Sequence, residues 1–213
     1  MREEMKYNPC IYQLRESALK RMLDIIHLQK QSQTNGTVFF GDSIFEFYDL
    51  KKYFPDKDYY NCGIAGATTD ELMWIVDEAV IKFQPSKVFL HVGTNDMGNT
   101  VMRSYREIAL NISMIVNLIK KNLPTCKIYV LSPLPCLESL QDFNHANGVR
   151  SNLFIEKLYQ TLPEYVECAG FIDIYHDFFT EGKVNESLFK DGLHPNDDGY
   201  HILTKRLSNT LCV

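Results

Sequence analysis

Short apolar runs of strand character alternate with amphipathic helical patterns along most of this 213-residue chain, and that alternation constrains the fold more than any other feature. A strand followed by a helix followed by another strand returns most simply as a parallel βαβ unit, so a chain built this way is expected to be α/β with a parallel sheet. The strand candidates are Thr37-Val-Phe-Phe40, Asp58-Tyr-Tyr-Asn-Cys62, Lys87-Val-Phe-Leu-His-Val92, Lys127-Ile-Tyr-Val-Leu131 and Gly170-Phe-Ile-Asp-Ile174. The third and fourth are compact and β-branched, as strands covered on both faces are. Helical patterns occupy 12–33, 69–83, 103–121, 148–161 and 197–210. In the clearest of them Ile108, Ile112, Ile115 and Ile119 fall at i, i+4, i+7 and i+11, which is a core-facing stripe. The expected architecture is a three-layer α/β/α sandwich around a five-stranded parallel sheet. Residues 1–35 form an N-terminal helical extension packed on it, and 36–213 make up the domain proper.

Composition narrows the function classes. The formal charge of −5 offers no general attraction to nucleic acid or to an anionic membrane surface. No run of about 18 apolar residues could span a bilayer. Six cysteines, at 10, 62, 126, 136, 168 and 212, are scattered without a C-x-x-C pair and read as reduced thiols. The start of the chain is charged and polar, without the apolar core of a secretory signal, so a cytoplasmic protein is expected. On that reading the sequons at Asn111 and Asn185 are not glycosylated; Asn111 also lies inside a helical pattern.

In an open parallel sheet the site lies beyond the carboxyl ends of the strands. The first strand is followed by Gly41-Asp42-Ser43, which either presents a hydroxyl above the sheet edge or simply caps a helix. The second runs into Asn61-Cys-Gly63-Ile-Ala-Gly66-Ala-Thr68-Thr69, whose two glycines permit a turn that aims an amide N–H at a developing oxyanion. The third leads to Gly93-Thr94-Asn95-Asp96, where Asn95 supplies a neutral NH₂ donor. Near the end of the chain, Asp191-Gly-Leu-His194-Pro195 sets a carboxylate three residues before an imidazole. A serine hydroxyl is nearly unreactive at neutral pH and needs an imidazole to take its proton, and the imidazole needs a group to fix its tautomer. Ser43, His194 and Asp191 can fill those roles, with Ser43 N–H, Gly66 N–H and Asn95 as oxyanion donors and Asp42 as a candidate substrate contact.

These four segments, in this order, resemble the blocks of the SGNH hydrolases, also called the GDSL esterase/lipase family. The Gly-Ile-x-Gly and Gly-Thr-Asn-Asp patterns are most similar to its branch of platelet-activating-factor acetylhydrolase-like and small bacterial acyl esterases. The resemblance covers about residues 36–200 and implies a flavodoxin-like fold, no cofactor, and removal of acetyl or other short acyl groups by catalytic Ser43, Asp191 and His194. The expected substrate is a small-molecule or glycan ester, with a homodimer left open. Readings from other classes are a lysophospholipase or thioesterase, and a non-catalytic carbohydrate- or acyl-binding module on the same fold. One departure stands out: that branch commonly carries Asp after the second-block glycine, where this chain has Ala67, so the loop must be ordered from elsewhere, with Thr68 a candidate.

Other signals read as packing. Cys62 is expected to be a buried small hydrophobe, Trp74 to lie in the core with Leu72, Ile75 and Val76, and the aromatics Phe39, Phe40, Phe45, Phe47, Tyr48, Tyr53 and Phe54 to pack core and helices. His91 is expected to be a packed or surface histidine. Asp191, His194, His176, Asp177 and His201 lack metal-ligand spacing, so no metal is expected. The 133–150 stretch, with His145, is either a pocket wall or a plain surface loop.

Overall fold

The computed structural model describes residues 15–97, 102–140 and 150–211. The readings for Cys10, Cys212, His145 and residues 141–149 of the 133–150 stretch lie outside them. Five strands form one parallel sheet: β1 (Thr37–Gly41), β2 (Tyr59–Gly63), β3 (Lys87–His91), β4 (Lys127–Leu131) and β5 (Gly170–Ile172), in the order β2-β1-β3-β4-β5. The register aligns Gly41 with Gly63 on one side and with His91 on the other, so three strands end level. The order reverses at β1, and it is at such switch points that open parallel sheets place their sites.

Helices α1 (Glu16–Gln29), α4 (Thr69–Ala79), α5 (Tyr105–Asn122) and α6 (Asn152–Tyr165) neighbour one another along one face. The short α2 (Ser43–Glu46) and α3 (Leu50–Tyr53) belong with α7 (Asp197–Leu211) on the other. Two apolar clusters sandwich the sheet, one built on Val38, Phe40, Val88, Leu90 and the α5 stripe, the other on Phe39, Phe89, Leu131 and Leu203. All four stripe isoleucines are at most 1% exposed, and each contributes about 1.5–3 kcal/mol by leaving water. Capping boxes begin α4 (Thr68 with Glu71) and α5 (Ser104 with Glu107). A small antiparallel pair, Phe179–Thr180 with Lys183–Val184, precedes the last loop.

Trp74 departs from the sequence expectation: it is 64% exposed. The core face of α4 is Leu72, Ile75, Val76 and Ala79, and at 100° per residue Trp74 falls on the opposite side of that stripe. Asn111 is buried and donates from Nδ2 to Thr69 Oγ1 at 2.8 Å, which closes that sequon to modification. The N-terminal helix α1 packs on α4 and β2, and Arg21 reaches from it to the carbonyls of Asn61 and Gly63, both at 2.9 Å.

Candidate active site

The nucleophile candidate owes its position to a close approach of two strands. A Cβ on Gly41 would lie 2.1 Å from the His91 carbonyl oxygen, so glycine alone lets β1 end this near β3. The chain then turns through Asp42, whose backbone is extended, and Ser43 becomes the first residue of α2. Asp42 Oδ1 accepts from Ile44 N–H at 3.0 Å and lies 3.1 Å from His91 Nδ1, with both side chains fully buried. The expectation that Asp42 contacts substrate is therefore corrected. Its carboxylate has no exposed surface and serves to cap α2 and tie it to β3. Asn61 does a related job that no single residue of the sequence announces. Its Nδ2 donates to the carbonyls of Phe45 and Tyr48 at 2.5 and 3.0 Å, and its Oδ1 accepts from Gly63 N–H.

Ser43 is 4% exposed, and its Oγ lies 2.8 Å from His194 Nε2. His194 Nδ1 lies 2.7 Å from Asp191 Oδ2, and the other oxygen of Asp191 accepts from the N–H groups of His194 and Leu193 at 2.8 and 3.1 Å. The loop that holds His194 and Asp191 is closed by an antiparallel bridge between Phe189 and Pro195 and by Lys190 N–H donating to His194 O at 2.8 Å. Partial burial works to raise the Asp191 pKa, but the N–H of His194, its imidazole and the N–H of Leu193 outweigh it and hold the carboxyl below the usual range. Ionised Asp191 selects the Nδ1–H tautomer, which leaves Nε2 free to accept from Ser43. On their shared face of the sheet, α7 is tied back to α2 by Tyr200 Oη, which donates to Ile44 O at 3.0 Å, and by the stacked rings of Tyr48 and Tyr200.

The two expected oxyanion segments stand at the ends of β2 and β3, on either side of Ser43. Gly66 has φ +73°, and a Cβ there would meet the Arg15 guanidinium at 2.4 Å. Arg15 donates to Ala65 O at 2.8 Å and pairs with Glu71 at 3.5 Å, and Ala65 N–H donates to Glu46 of α2. These bonds, with the Thr68 capping box, order the loop around Ala67. Asn95 is 3% exposed; its Nδ2 donates to Ala67 O at 3.1 Å and its Oδ1 lies 3.5 Å from Arg150 Nη2. Arg150 also donates from Nε to Thr94 O at 3.2 Å. Beneath this loop Asp96 is fully buried, and desolvation lifts its pKa to about 7 against the hydrogen bonds of Thr69. Arg15, Glu46 and Arg150 gained no role from the sequence, because each acts across a fold-dependent distance.

Cys62 is fully buried, and burial pushes its thiol far above its ordinary pKa. Phe39, Phe40, Phe45 and Tyr48 are core. Phe47 is not: it is 52% exposed and stands edge-on to the His194 ring at 5.2 Å. His91 is packed, at 0% exposure. Leu137 N–H donates to Gly192 O at 2.8 Å, so the start of the 133–150 stretch lies against the Asp191–His194 loop. Among the described residues no three His, Cys, Asp or Glu side chains gather as a metal site, and no helix is long and apolar enough to cross a membrane.

Residues 39–202 match the model of the GDSL-like lipase/acylhydrolase family. The chain belongs to that family. Membership supports an ester-hydrolase role. Among curated relatives, N-acylneuraminate cytidylyltransferase of Escherichia coli is 32% identical over 171 residues, which is 79% of this chain but 38% of that protein. The platelet-activating factor acetylhydrolase IB subunit alpha2 of Rattus norvegicus is 29% identical over 80% of this chain and 73% of its own. Among solved structures, a Streptococcus pneumonia protein named for platelet activating factor superposes with TM-score 0.80 at 29% identity, covering 92% of this chain and 93% of the other. A GDSL-like lipase from Bacteroides thetaiotaomicron superposes at 0.75 with 23% identity, over 89% and 96%, and shares the fold alone.

Proposed function

We propose that the chain is a cytoplasmic serine esterase that removes an acetyl or other short acyl group from a small-molecule or carbohydrate ester through an acyl-enzyme. The observation that carries this reading is the hydrogen-bonded run from Ser43 Oγ to His194 Nε2 at 2.8 Å and from His194 Nδ1 to Asp191 at 2.7 Å. Ser43 attacks the ester carbonyl as His194 takes its proton, and Asp191 stabilises the imidazolium. The Ser43 and Gly66 N–H groups and the Asn95 amide hold the oxyanion. Collapse of the tetrahedral intermediate expels the alcohol, which leaves with the proton from His194. Water, deprotonated by the same imidazole, then releases the acid and restores Ser43.

The relative named for an acetylhydrolase supports removal of a short acyl group, and the one named for N-acylneuraminate, a sugar acid, bears on the carbohydrate side alone. The buried free thiols Cys62, Cys126 and Cys136 support the reducing compartment. Purified protein assayed with p-nitrophenyl acetate beside Ser43→Ala tests the proposal. Turnover is expected to fall at least ~10³-fold in the variant, and equal rates would sink the nucleophile assignment. A series of p-nitrophenyl esters of increasing chain length then reads the acyl limit, with a sharp loss beyond a few carbons expected.

A further inference from the structure

We propose that Arg15, at the head of α1, is a positioning residue for the oxyanion site: it holds the peptide between Ala65 and Gly66 in the orientation that turns the Gly66 N–H away from the guanidinium and into the site. The inference rests on the esterase reading and deepens it, by naming what keeps one of the proposed oxyanion donors in place. Arg15 lies upstream of the family-matched residues 39–202, so the motif pattern gives no sign of it.

The orientation follows from the turn. Ala67 N–H donates to Ile64 O at 3.0 Å, Gly66 has φ +73° and Ala65 keeps a negative φ, which together make Ile64 to Ala67 a type II turn with glycine in its third place. In a trans peptide the carbonyl and the N–H point in opposite directions. Arg15 Nη2 donates to Ala65 O at 2.8 Å, so the Gly66 N–H of the same peptide unit faces away from the guanidinium. That N–H has no acceptor among the described residues. Turning the peptide over converts type II to type I, and glycine in the third place allows both. The residue that permits the productive turn therefore does not secure it.

The other contacts of the loop leave that peptide alone. Ala65 N–H, which donates to Glu46, belongs to the peptide before it, while Asn95 Nδ2 holds Ala67 O and the capping box holds Thr68 N–H. Ala67 has no polar side-chain atom to contribute. Arg15 reaches the turn because it extends the inward stripe of α1, Ala18, Met22 and Ile25, towards the N-terminus. Arg21 fastens the same helix to the carbonyls of Asn61 and Gly63. The guanidinium is steadied by Glu71, a largely buried carboxylate at 3.5 Å that also accepts from Thr68 N–H at 2.9 Å. A Cβ on Gly66 would lie 2.4 Å from Arg15 Nη1, so the fork rests directly against the turn.

The test uses two substitutions in the full chain. Arg15→Met keeps bulk against the turn but no donor, and Arg15→Lys keeps a charged donor. With p-nitrophenyl acetate, Arg15→Met is expected to lower kcat about tenfold, as when about nine peptides in ten are turned over, with KM unchanged within about twofold. Arg15→Lys is expected to stay within about threefold of wild type. Acylation and deacylation both pass through an oxyanion, so kcat reads the site whichever step limits it. A second readout is inhibition by 1,1,1-trifluoroacetone: the Ser43 oxygen adds to its carbonyl carbon, His194 takes the proton, and the carbonyl oxygen keeps the electron pair as an oxyanion. Its inhibition constant is expected to rise about tenfold in Arg15→Met and to change little in Arg15→Lys. Urea melts check folding. If the unpaired Glu71 unfolds the methionine variant, Arg15→Met combined with Glu71→Gln is measured instead, since glutamine keeps the capping box. Full kcat in the methionine variant, a loss confined to KM, or equal losses in both variants overturn the proposal. A wild-type protein that neither cleaves the ester nor is labelled by a fluorophosphonate overturns the esterase reading itself, and the two failures are thereby told apart.

Discussion

Removing the Arg150 guanidinium is the perturbation that asks most of the proposed oxyanion site. On the proposed reading Arg150 acts through the loop that carries Asn95. It donates to Thr94 O at 3.2 Å and lies 3.5 Å from Asn95 Oδ1, and by engaging that oxygen it helps turn the Asn95 NH₂ the other way, where it also donates to Ala67 O at 3.1 Å. Burial works to lower the guanidinium pKa, so the group is held largely out of water behind the loop. A good hydrogen bond from a charged donor is worth about 1.5–3 kcal/mol, and these two are long. The lower end, about 1.5 kcal/mol, corresponds to roughly a tenfold loss in kcat. Asn95→Ala removes the donor itself, and a loss of about 10²–10³ is expected. If Arg150 acts through Asn95, the double variant is no slower than Asn95→Ala, because there is no amide left to orient. Arg150→Lys keeps a charge but not the fork and restores only part of the rate. The assay is steady-state hydrolysis of p-nitrophenyl acetate by the four proteins, with urea melts alongside. Losses that multiply in the double variant, or an Arg150→Ala protein that is less stable yet turns over at the full rate, would refute the reasoning.

Asp191→Asn is expected to lower kcat by about 10³–10⁴ with little change in KM, since the amide favours the wrong imidazole tautomer; a loss of under tenfold in the same assay would contradict the orienting role. Gly41→Ala puts a methyl 2.1 Å from the His91 carbonyl, a backbone atom with nowhere to go, and should cost more than about 3 kcal/mol in a urea melt. Gly66→Ala faces a movable Arg15 side chain and should cost about 1–2 kcal/mol, most of it for the left-handed backbone. Asp96 has its folded pKa raised to about 7 from an ordinary value near 4, so the folded chain binds a proton more tightly than the unfolded one between those values. Its contribution is therefore most favourable in acid and is lost as pH climbs to about 7. The difference in melting temperature between wild type and Asp96→Asn, scanned from pH 5 to 8, should decline with rising pH; a flat or rising difference would count against it.

The sheet was legible because buried parallel strands leave little choice: Lys127–Leu131 is a strand at the residues its apolar run marks, and the α5 isoleucines face inward as their spacing requires. Ser43, Gly66 and Asn95 were legible because each sits just past a strand of the sheet, where its geometry sends loops to one rim, whereas Asp191 and His194 lie beyond the small antiparallel pair and were legible from their Asp-x-x-His spacing. What stayed hidden depends on partners far along the chain. Trp74 looks like core beside Leu72 and Ile75, and only the phase of the stripe, set by what α4 packs against, puts it outside. Asp42 neighbours the serine and so looks like part of the chemistry, but the strand beside it supplies His91 and closes it in. Asn61 was visible as part of a motif, yet its bonds to the end of α2 exist only once that helix lies over β2.

The contact between Ser43 and His194 joins residues 151 apart, from the end of the first strand to the loop before the last helix. A chain emerging from the ribosome has its hydroxyl in place long before the imidazole that would arm it, and contacts of such long range are made late. The nascent protein can therefore fold most of its sheet while chemically inert. On the proposed mechanism, reactivity would arrive when the closing helix docks through Tyr200 against the helix that begins with Ser43. Appearance of esterase activity during refolding would then time the final docking event, where a spectroscopic signal reports only that strands and helices have formed.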